Sequence, residues 1–423
     1  MRLETILNQV EQHQSVVYES GHLEEDAGVL SVVIPIRARE NGRPECSGCG
    51  GHGPTDDHLA ERRFEHVPVG GLLVFCADRM RRVNCASCGV TVERVPWCDG
   101  KHSLTTTYRW FLADHPSGGA RAKRLSWSEV ATIFRTSWDS VCRSVEHAVE
   151  WGLAHRDLSG ITALGIDEIA WQKGHQYLTL IYDISGAVKR LLSVTEERTE
   201  LSLGSGLSAL GPSVCAGVPF VCSDLWQPYL KVIGEQPGTA VPVLDRFHIR
   251  QKFGKALDEI RAEESKRLKQ DGYEPVLTKS RWCLLKRPQN LTDHQTVTLS
   301  ELLKYNLRSV RAYLLREDFQ RFGEYVHPAW AGKFLDEWTG RVMRSRLEPL
   351  KKVARTLRSH RTLILNWFRA QGEMSSGAVE GLNNKVKLVT RRSYGFRTAK
   401  VAKLALLHNL GRLPEPESTH KFC

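Results

Sequence analysis

No stretch of this 423-residue chain approaches the roughly 18–20 consecutive apolar residues that a membrane-spanning helix needs. Runs such as Gly217–Cys222 and Leu72–Ala77 are only of strand length. The N-terminus, MRLETILNQVEQHQS, lacks the charged-then-apolar order of a secretory signal. Internal repeats and low-complexity tracts are missing as well. These absences lead us to expect a cytosolic chain. Its 11 cysteines are then thiols or metal ligands rather than a disulfide framework. With 41% apolar and 25% charged residues, the composition is that of a soluble globular protein, too long for one compact core. Two or three domains are expected.

Acidic residues are scarce in one place. From Arg341 to Cys423 there are 18 basic and 5 acidic residues, whereas the first 340 positions hold 41 basic and 43 acidic. The excess behind the net charge of +11 therefore sits in the last fifth of the chain. Concentration on this scale marks a polyanionic partner, most commonly nucleic acid.

Cysteine is clustered. Cys46-Ser-Gly-Cys49 and Cys85-Ala-Ser-Cys88 are two C-x2-C pairs with 35 residues between them, each followed by glycine (Gly50, Gly89). Glycine permits the tight knuckle that turns two thiolates toward one ion, and four thiolates make a closed structural Zn²⁺ site. A ribbon of strands must fit between the knuckles, and Gly71–Cys76 and Thr91–Val95 have strand character. Cys76, Cys98 and His102 lack paired spacing.

Ser126-Trp-Ser-Glu129 has the form of a capping box opening a helix with Val130, Ile133 and Phe134 on its apolar face. Thr136-Ser137 can end this helix and cap a second, in which Trp138, Val141, Val145 and Val149 point inward. Two short helices joined by a tight turn form the helix-turn-helix pattern, with Arg135 and Arg143 as phosphate or base contacts.

The next region alternates strands and helices. Ile161–Ile169 is an apolar strand that carries Asp167 and Glu168, a costly placement unless the carboxylates are paired or metal-bound. Gln176–Ile184 and Val188–Val194 continue as antiparallel strands around a Ser185-Gly186 turn, and a helix follows over about 197–210. Two short strands, 218–222 and 242–244, run into Asp224 and Asp245. This element order is that expected of an RNase H-like α/β fold. Residues 246–370 read as almost wholly helical, with Phe247–Leu268, Leu307–Phe322 and Leu350–Phe368 as examples. A last helix pair covers about 376–388 and 398–410. Glu380, Asn384 and Lys387 share one face of the first of these helices. Three carboxylates converging on one point can hold two Mg²⁺ ions about 3.5–4 Å apart, the geometry for phosphodiester chemistry.

Gly165-Ile-Asp167-Glu-Ile-Ala-Trp171-Gln-Lys173-Gly174-His175 and Ser223-Asp224-Leu-Trp-Gln-Pro-Tyr229 resemble the IS-L3 family of bacterial insertion-sequence transposases. Asp245-Arg-Phe-His248, Val379-Glu380-Gly381-Leu-Asn383 and Ser393-Tyr-Gly-Phe-Arg397 share the likeness, which covers nearly the whole chain. The resemblance implies a DDE enzyme with an RNase H-like catalytic core interrupted by a helical insertion. The core is preceded by a zinc-binding module and a helix-turn-helix.

The family's first Asp falls on Asp167, its second on Asp224 and its Glu on Glu380. The aspartates are 57 positions apart, and the Glu follows Asp224 by 156. Asp245 and Asp183 are the alternatives for the second acid. The organisation implied is a zinc region over 1–113, a helix-turn-helix over 120–155, a core from 160–246 and 371–410, an insertion over 247–370 and a tail over 411–423. Double-stranded DNA, both transposon ends and target, is the expected partner. A homo-oligomer is expected because two ends must be held, and a nucleoid-associated place in the cytoplasm follows. Arg391, Arg392 and Arg397 beside Tyr394 and Phe396, together with Lys387, are the expected phosphate and stacking contacts. Two rivals are a zinc-containing regulator, which leaves the three acids unexplained, and a nuclease that cuts without joining.

Overall fold

The computed structural model describes the chain apart from residues 1, 41, 99–101, 114–120, 225, 236–239, 245, 274–275, 371–376 and 417–423, and the side chains of residues 121, 246 and 247. It divides into two compact units, residues 1–157 with 388–423, and residues 158–387.

The first unit opens with α1 (Leu3–Val10), followed by β1 (Val16–Tyr18), β2 (His22–Asp26), β3 (Val29–Ala38) and β4 (Thr55–His58). After these come β5 (Arg62–Val69), β6 (Leu72–Asp78), β7 (Arg81–Cys85) and β8 (Gly89–Val92). One sheet runs β1-β3-β6-β5, with β2 also on β3, and a smaller one runs β4-β7-β8. Ile34, Phe64, Val74 and Cys76 are wholly buried at the centre of the larger sheet's core. Strand β6 falls where the apolar run places it, while β8 lies two to three residues before the expected Thr91–Val95 and shares only Thr91 and Val92 with it. Strands β4, β5 and β7 are rich in Asp, His and Arg, so no alternating apolar pattern announces them.

Helices α2 (Thr106–Ala113), α3 (Arg121–Arg124), α4 (Trp127–Ile133) and α5 (Trp138–His155) complete this part. The capping box forms. Ser126 Oγ accepts the Glu129 N–H at 3.3 Å, while the Ser126 N–H donates to Glu129 Oε2 at 2.7 Å. Such a cap stabilises a helix start by about 1 kcal/mol. Arg135, at φ +52°, makes the turn, and Ser137 Oγ caps α5 through the Ser140 N–H at 3.0 Å. Val130, Val141, Val145 and Val149 are buried as the periodicity requires. Trp138 and Ile133 are not. Trp138 is 43% exposed, because the inner face of α5 is taken by α2 and by the C-terminal helix α17 (Ala399–Leu410), and Ile133, at the end of α4, is 58% exposed.

The second unit holds β9 (Ala163–Gln172), β10 (Gln176–Asp183), β11 (Arg190–Glu196), α6 (Glu200–Ser208) and α7 (Pro212–Gly217), then β12 (Phe220–Ser223), α8 (Gln227–Glu235) and β13 (Val241–Leu244). The sheet order is β11-β10-β9-β12-β13, antiparallel across the first three and parallel from β9 to β13. Helix α6 packs so closely that a Cβ on Gly206 would come 2.8 Å from Ile181 Cδ1. Helices α9 (Arg246–Gln270), α10 (Arg281–Leu285), α11 (Asp293–Leu302), α12 (Arg308–Gln320) and α13 (Pro328–Arg344) follow, then α14 (Glu348–Ser359) and α15 (Arg361–Arg369). They enclose a core centred on the fully buried Trp338. The stretch expected as one helix over Leu350–Phe368 is two, divided at His360 (φ −114°). Helix α16 (Ala378–Arg392) then begins against the sheet. Among the described residues no helix is long and apolar enough to cross a membrane.

Candidate active site and metal centre

Asp167 sits midway along β9, buried, with its partner strand β10 on one side and β12 on the other. Asp224 immediately follows β12. Because β9 and β12 run parallel, the two carboxylates are delivered to the same end of neighbouring strands. Burial pushes the Asp167 carboxyl up, and the negative charge of Asp224 adds to this, although the Glu168 N–H donates to Asp167 Oδ1 at 2.8 Å. Glu168 is driven up to about 7, first by burial and then by the charges of Asp224 and Asp167.

Arg198 is one cation in this group, and the charge of His248 also draws the Asp167 carboxyl down. Arg198 Nη2 lies 2.9 Å from Glu168 Oε1 and 3.2 Å from Asp224 Oδ2, and its guanidinium rests 4.4 Å from the centre of the Trp226 ring. The Trp226 N–H donates to Asp224 Oδ1 at 2.9 Å, which fixes that carboxylate. Glu168 Oε2 is buried without a hydrogen-bond partner. Three acids facing one guanidinium and a nearby histidine, with one carboxylate oxygen orphaned, make a site that a divalent cation could complete.

The last acid arrives on α16. A Cβ on Gly165 would lie 2.6 Å from Val379 Cγ2, so only glycine lets the helix approach β9 this closely. Two residues along the same strand face, Asp167 Oδ2 accepts from Asn383 Nδ2 at 2.5 Å, and Asn383 Oδ1 accepts from the Tyr182 hydroxyl at 2.7 Å. Val379 and Asn383 are thus the i, i+4 contacts that seat the helix. Glu380, three residues before Asn383, is half-buried beside that face and lines a cavity of about 560 Å³. Among the described residues, the three carboxylates do not close to within 4.8 Å of one another. Asn384 and Lys387 are exposed. Asp183 is committed to its turn, accepting the Ser185 N–H at 3.0 Å and pairing with Arg190 at 3.3 Å. Asp245 lies outside the described residues. Nothing in the local pattern around Arg198 or Tyr182 marks either as a site residue. Asn383 closes the motif Val379-Glu380-Gly381-Leu-Asn383, but its bond to Asp167 comes only from the fold.

Cys46, Cys49, Cys85 and Cys88 come together in the other unit, with sulfur atoms within 4.8 Å of one another. Gly50 and Gly89, at φ +74° and +72°, make the two knuckles. The Thr91 hydroxyl and the backbone N–H groups of Cys49 and Gly48 draw the Cys46 thiol down to about 6, while the adjoining Cys49 and Cys46 push Cys88 up to about 12. Four sulfur atoms gathered this closely form a cluster that could hold zinc.

Of the basic candidates, Arg135, Lys387, Arg391 and Arg397 are exposed, and Arg143 is exposed but paired with Asp139 at 2.8 Å. Arg392 differs, being half-buried and donating to Asn409 Oδ1 at 2.6 Å. Tyr394 is 92% exposed, whereas Phe396 is buried and has no ring face to offer a base.

An α/β unit with carboxylates at adjoining strand ends belongs with the DDE transposases, and a transposase family model matches residues 164–406. Within that class, the chain belongs to the IS-L3 family. It is similar to the transposase for insertion sequence element IS1001 of Bordetella parapertussis, 28% identical over 355 residues, 83% of this chain and 85% of that one. It is also similar to the transposase for IS1557 of Mycobacterium tuberculosis, 26% identical over 443 aligned residues, 96% of this chain and 95% of that one.

Proposed function

We propose that this transposase binds the terminal inverted repeats of its own insertion sequence and catalyses metal-dependent strand cleavage followed by strand transfer. Asp167, Asp224 and Glu380 hold two Mg²⁺ ions. The observation that carries this reading is the delivery of Asp167 and Asp224 to one end of parallel strands, with the helix of Glu380 tied to Asp167 through Asn383. The strand order β11-β10-β9-β12-β13 supports an RNase H-like core. Divalent ions bound there would polarise the scissile phosphate and activate water, then a 3′-hydroxyl, as nucleophile. Asn383 and the Trp226 N–H orient the carboxylates, and Arg198 balances their charge before the ions arrive.

The four cysteines hold one structural Zn²⁺. The α4–α5 pair acts as a helix-turn-helix that reads the repeat, with Arg135 and Arg143 at its surface. Lys387, Arg391 and Arg397 contact phosphates, and the enzyme works as a homo-oligomer on double-stranded DNA in the cytoplasm, at the nucleoid.

The test is cleavage of a duplex carrying the repeat in Mg²⁺. Asp167→Asn, Asp224→Asn and Glu380→Gln should each lose cleavage yet keep repeat binding, because the amide keeps the shape and removes the charge. Near-normal cleavage by Asp224→Asn, with none by Asp245→Asn, would move the second ligand to Asp245. A strand-transfer assay separates the proposed enzyme from a nuclease that only cuts.

A further inference from the structure

The hold of Arg198 on the acids is incomplete. One atom, Nη2, serves both Glu168 Oε1 at 2.9 Å and Asp224 Oδ2 at 3.2 Å, acids carried by β9 and by the end of its neighbour β12. An arginine that forms a lasting structural pair usually gives two parallel N–H donors to one carboxylate. Here the Nε–H is buried without a hydrogen-bond partner, and so is Glu168 Oε2. The guanidinium lies over the Trp226 ring, 4.4 Å from its centre. One cationic atom shared between two carboxylates, with donor capacity unspent, is a charge parked between acids.

The backbone beneath it is fixed. Glu197 takes a left-handed φ of +68°, uncommon outside glycine, and its N–H donates to the Tyr177 carbonyl at 2.8 Å. On the other side Thr199 caps α6, its Oγ1 accepting the Ser202 N–H at 3.0 Å. The guanidinium therefore leaves by turning about its own side-chain bonds, and the side chain is 29% exposed, so solvent is within reach. What it covers is specific. Asp224 Oδ1 accepts the Trp226 N–H, which leaves Oδ2 for a cation, and Oδ2 is the oxygen to which Arg198 donates. While the guanidinium stays, a divalent ion on that oxygen would face a like charge at close range.

We propose that Arg198 is a substrate contact that guards the metal site: it covers Glu168 and Asp224 until DNA arrives, then swings onto a phosphate of the bound end, so that ion loading waits for substrate. The inference rests on the transposase reading above and adds an order of events to it. A guanidinium suits phosphate as well as carboxylate, because its fork presents paired N–H donors, and the unpartnered Nε–H supplies one of them. The phosphate to be cut must approach the acids, and so must approach an arginine already bonded to one of them. Exchanging a carboxylate for a phosphate keeps the guanidinium neutralised and uncovers the acids. The coupling is reciprocal, so ions should strengthen end binding by the factor with which the end strengthens ion binding.

Two titrations on the full chain test it. Mn²⁺ binding without DNA, followed by electron paramagnetic resonance, should tighten roughly tenfold or more in Arg198→Gln. Affinity for a duplex carrying the repeat is then read by fluorescence anisotropy with and without Ca²⁺, which takes carboxylate ligands in a looser geometry than Mg²⁺. In the parent, Ca²⁺ should tighten duplex binding about tenfold or more, and in Arg198→Gln the factor should fall to about threefold or less. A static counter-charge would raise ion affinity equally with and without DNA and leave that factor unchanged. Arg198→Met, which keeps a stem against Trp226, takes the place of Arg198→Gln should the latter fail to unfold cooperatively in urea. Mn²⁺ binding no tighter in the neutral variant, or a Ca²⁺ factor equal in parent and variant, overturns the guarding role alone. A parent protein that does not bind the repeat, or binds no Mn²⁺ with or without it, would instead overturn the proposed function, and this role with it.

Discussion

Replacing Asn383 with Ala should loosen the candidate site more than any other uncharged substitution in it. The wild-type amide donates to Asp167 Oδ2 and accepts from the Tyr182 hydroxyl, and all three side chains are buried. Truncation leaves Asp167 Oδ2 without its donor, worth about 1.5–3 kcal/mol for a bond to a charged group although Oδ1 keeps the Glu168 N–H, and a buried hydroxyl without its acceptor, worth about 1–3 kcal/mol. Relaxation recovers part of this, so the full chain should lose about 3–4 kcal/mol in urea unfolding without metal.

Tyr182→Phe removes only the hydroxyl and should cost about 1–2 kcal/mol. The double variant should cost less than the sum, because both changes break one chain of bonds. An Asp167 carboxylate that is no longer oriented should also bind cations more weakly. Loss of an outer partner typically lowers metal affinity roughly 10–100-fold, and Mn²⁺ titration followed by electron paramagnetic resonance reads this directly. If Asn383→Ala unfolded within about 0.5 kcal/mol of the parent and bound Mn²⁺ equally well, Asn383 would be a surface amide without a positioning role.

Zinc analysis should give one Zn²⁺ per chain, and Cys85→Ser/Cys88→Ser should lose it and make the first hundred residues sensitive to protease. Neutralising Arg391 should weaken binding to any duplex alike and flatten the salt dependence by roughly 0.9 for each phosphate that is no longer neutralised. Arg143→Ala should instead narrow the preference for the repeat over scrambled DNA, and a titration over a salt series compares the two. His408 is fully buried, and burial, then the nearby Lys123 and Arg392 charges, hold its imidazole down to about 3. The folded state therefore keeps it neutral while the unfolded chain protonates below about 6.5. Stability should fall by about 2 kcal/mol from pH 6.5 to 5 and go on falling toward pH 3. His408→Met should flatten this limb, as measured by urea midpoints at pH 7 and 5.

Much of this architecture is written in local pattern. The apolar runs around Asp167, the Ser185-Gly186 turn and the short strand before Asp224 became β9, β10, β11 and β12 with shifts of a few residues. The two C-x2-C pairs met because the signal needed only thiols and knuckle glycines. Ser126 and Ser137 marked helix starts through chemistry confined to four residues. Failures occurred where a side chain's fate is decided by distant packing. Trp138 looked like core until α2 and α17 took the inner face of its helix, and Phe396, a candidate for stacking on bases, is buried. Arg198 carries no motif, since its role comes from Glu168 and Asp224 meeting across strands.

The long interval between the second and third acids shows why such meetings escape a reading by spacing. The chain leaves the sheet at β13, runs through the six helices α9–α14 and returns in α15. There Asn366 Nδ2 donates to the Pro242 carbonyl at 2.9 Å, so the returning helix is fastened to the strand from which the excursion began. That bond is possible because β13 is the edge of its sheet, and Pro242 can sit there without breaking a ladder. The 156 positions between Asp224 and Glu380 are therefore a long path between neighbouring points. What fixes Glu380 is local to the return, namely Val379 on Gly165 and Asn383 on Asp167. The helices between can change in length without moving the acid, provided Asn366 still finds β13.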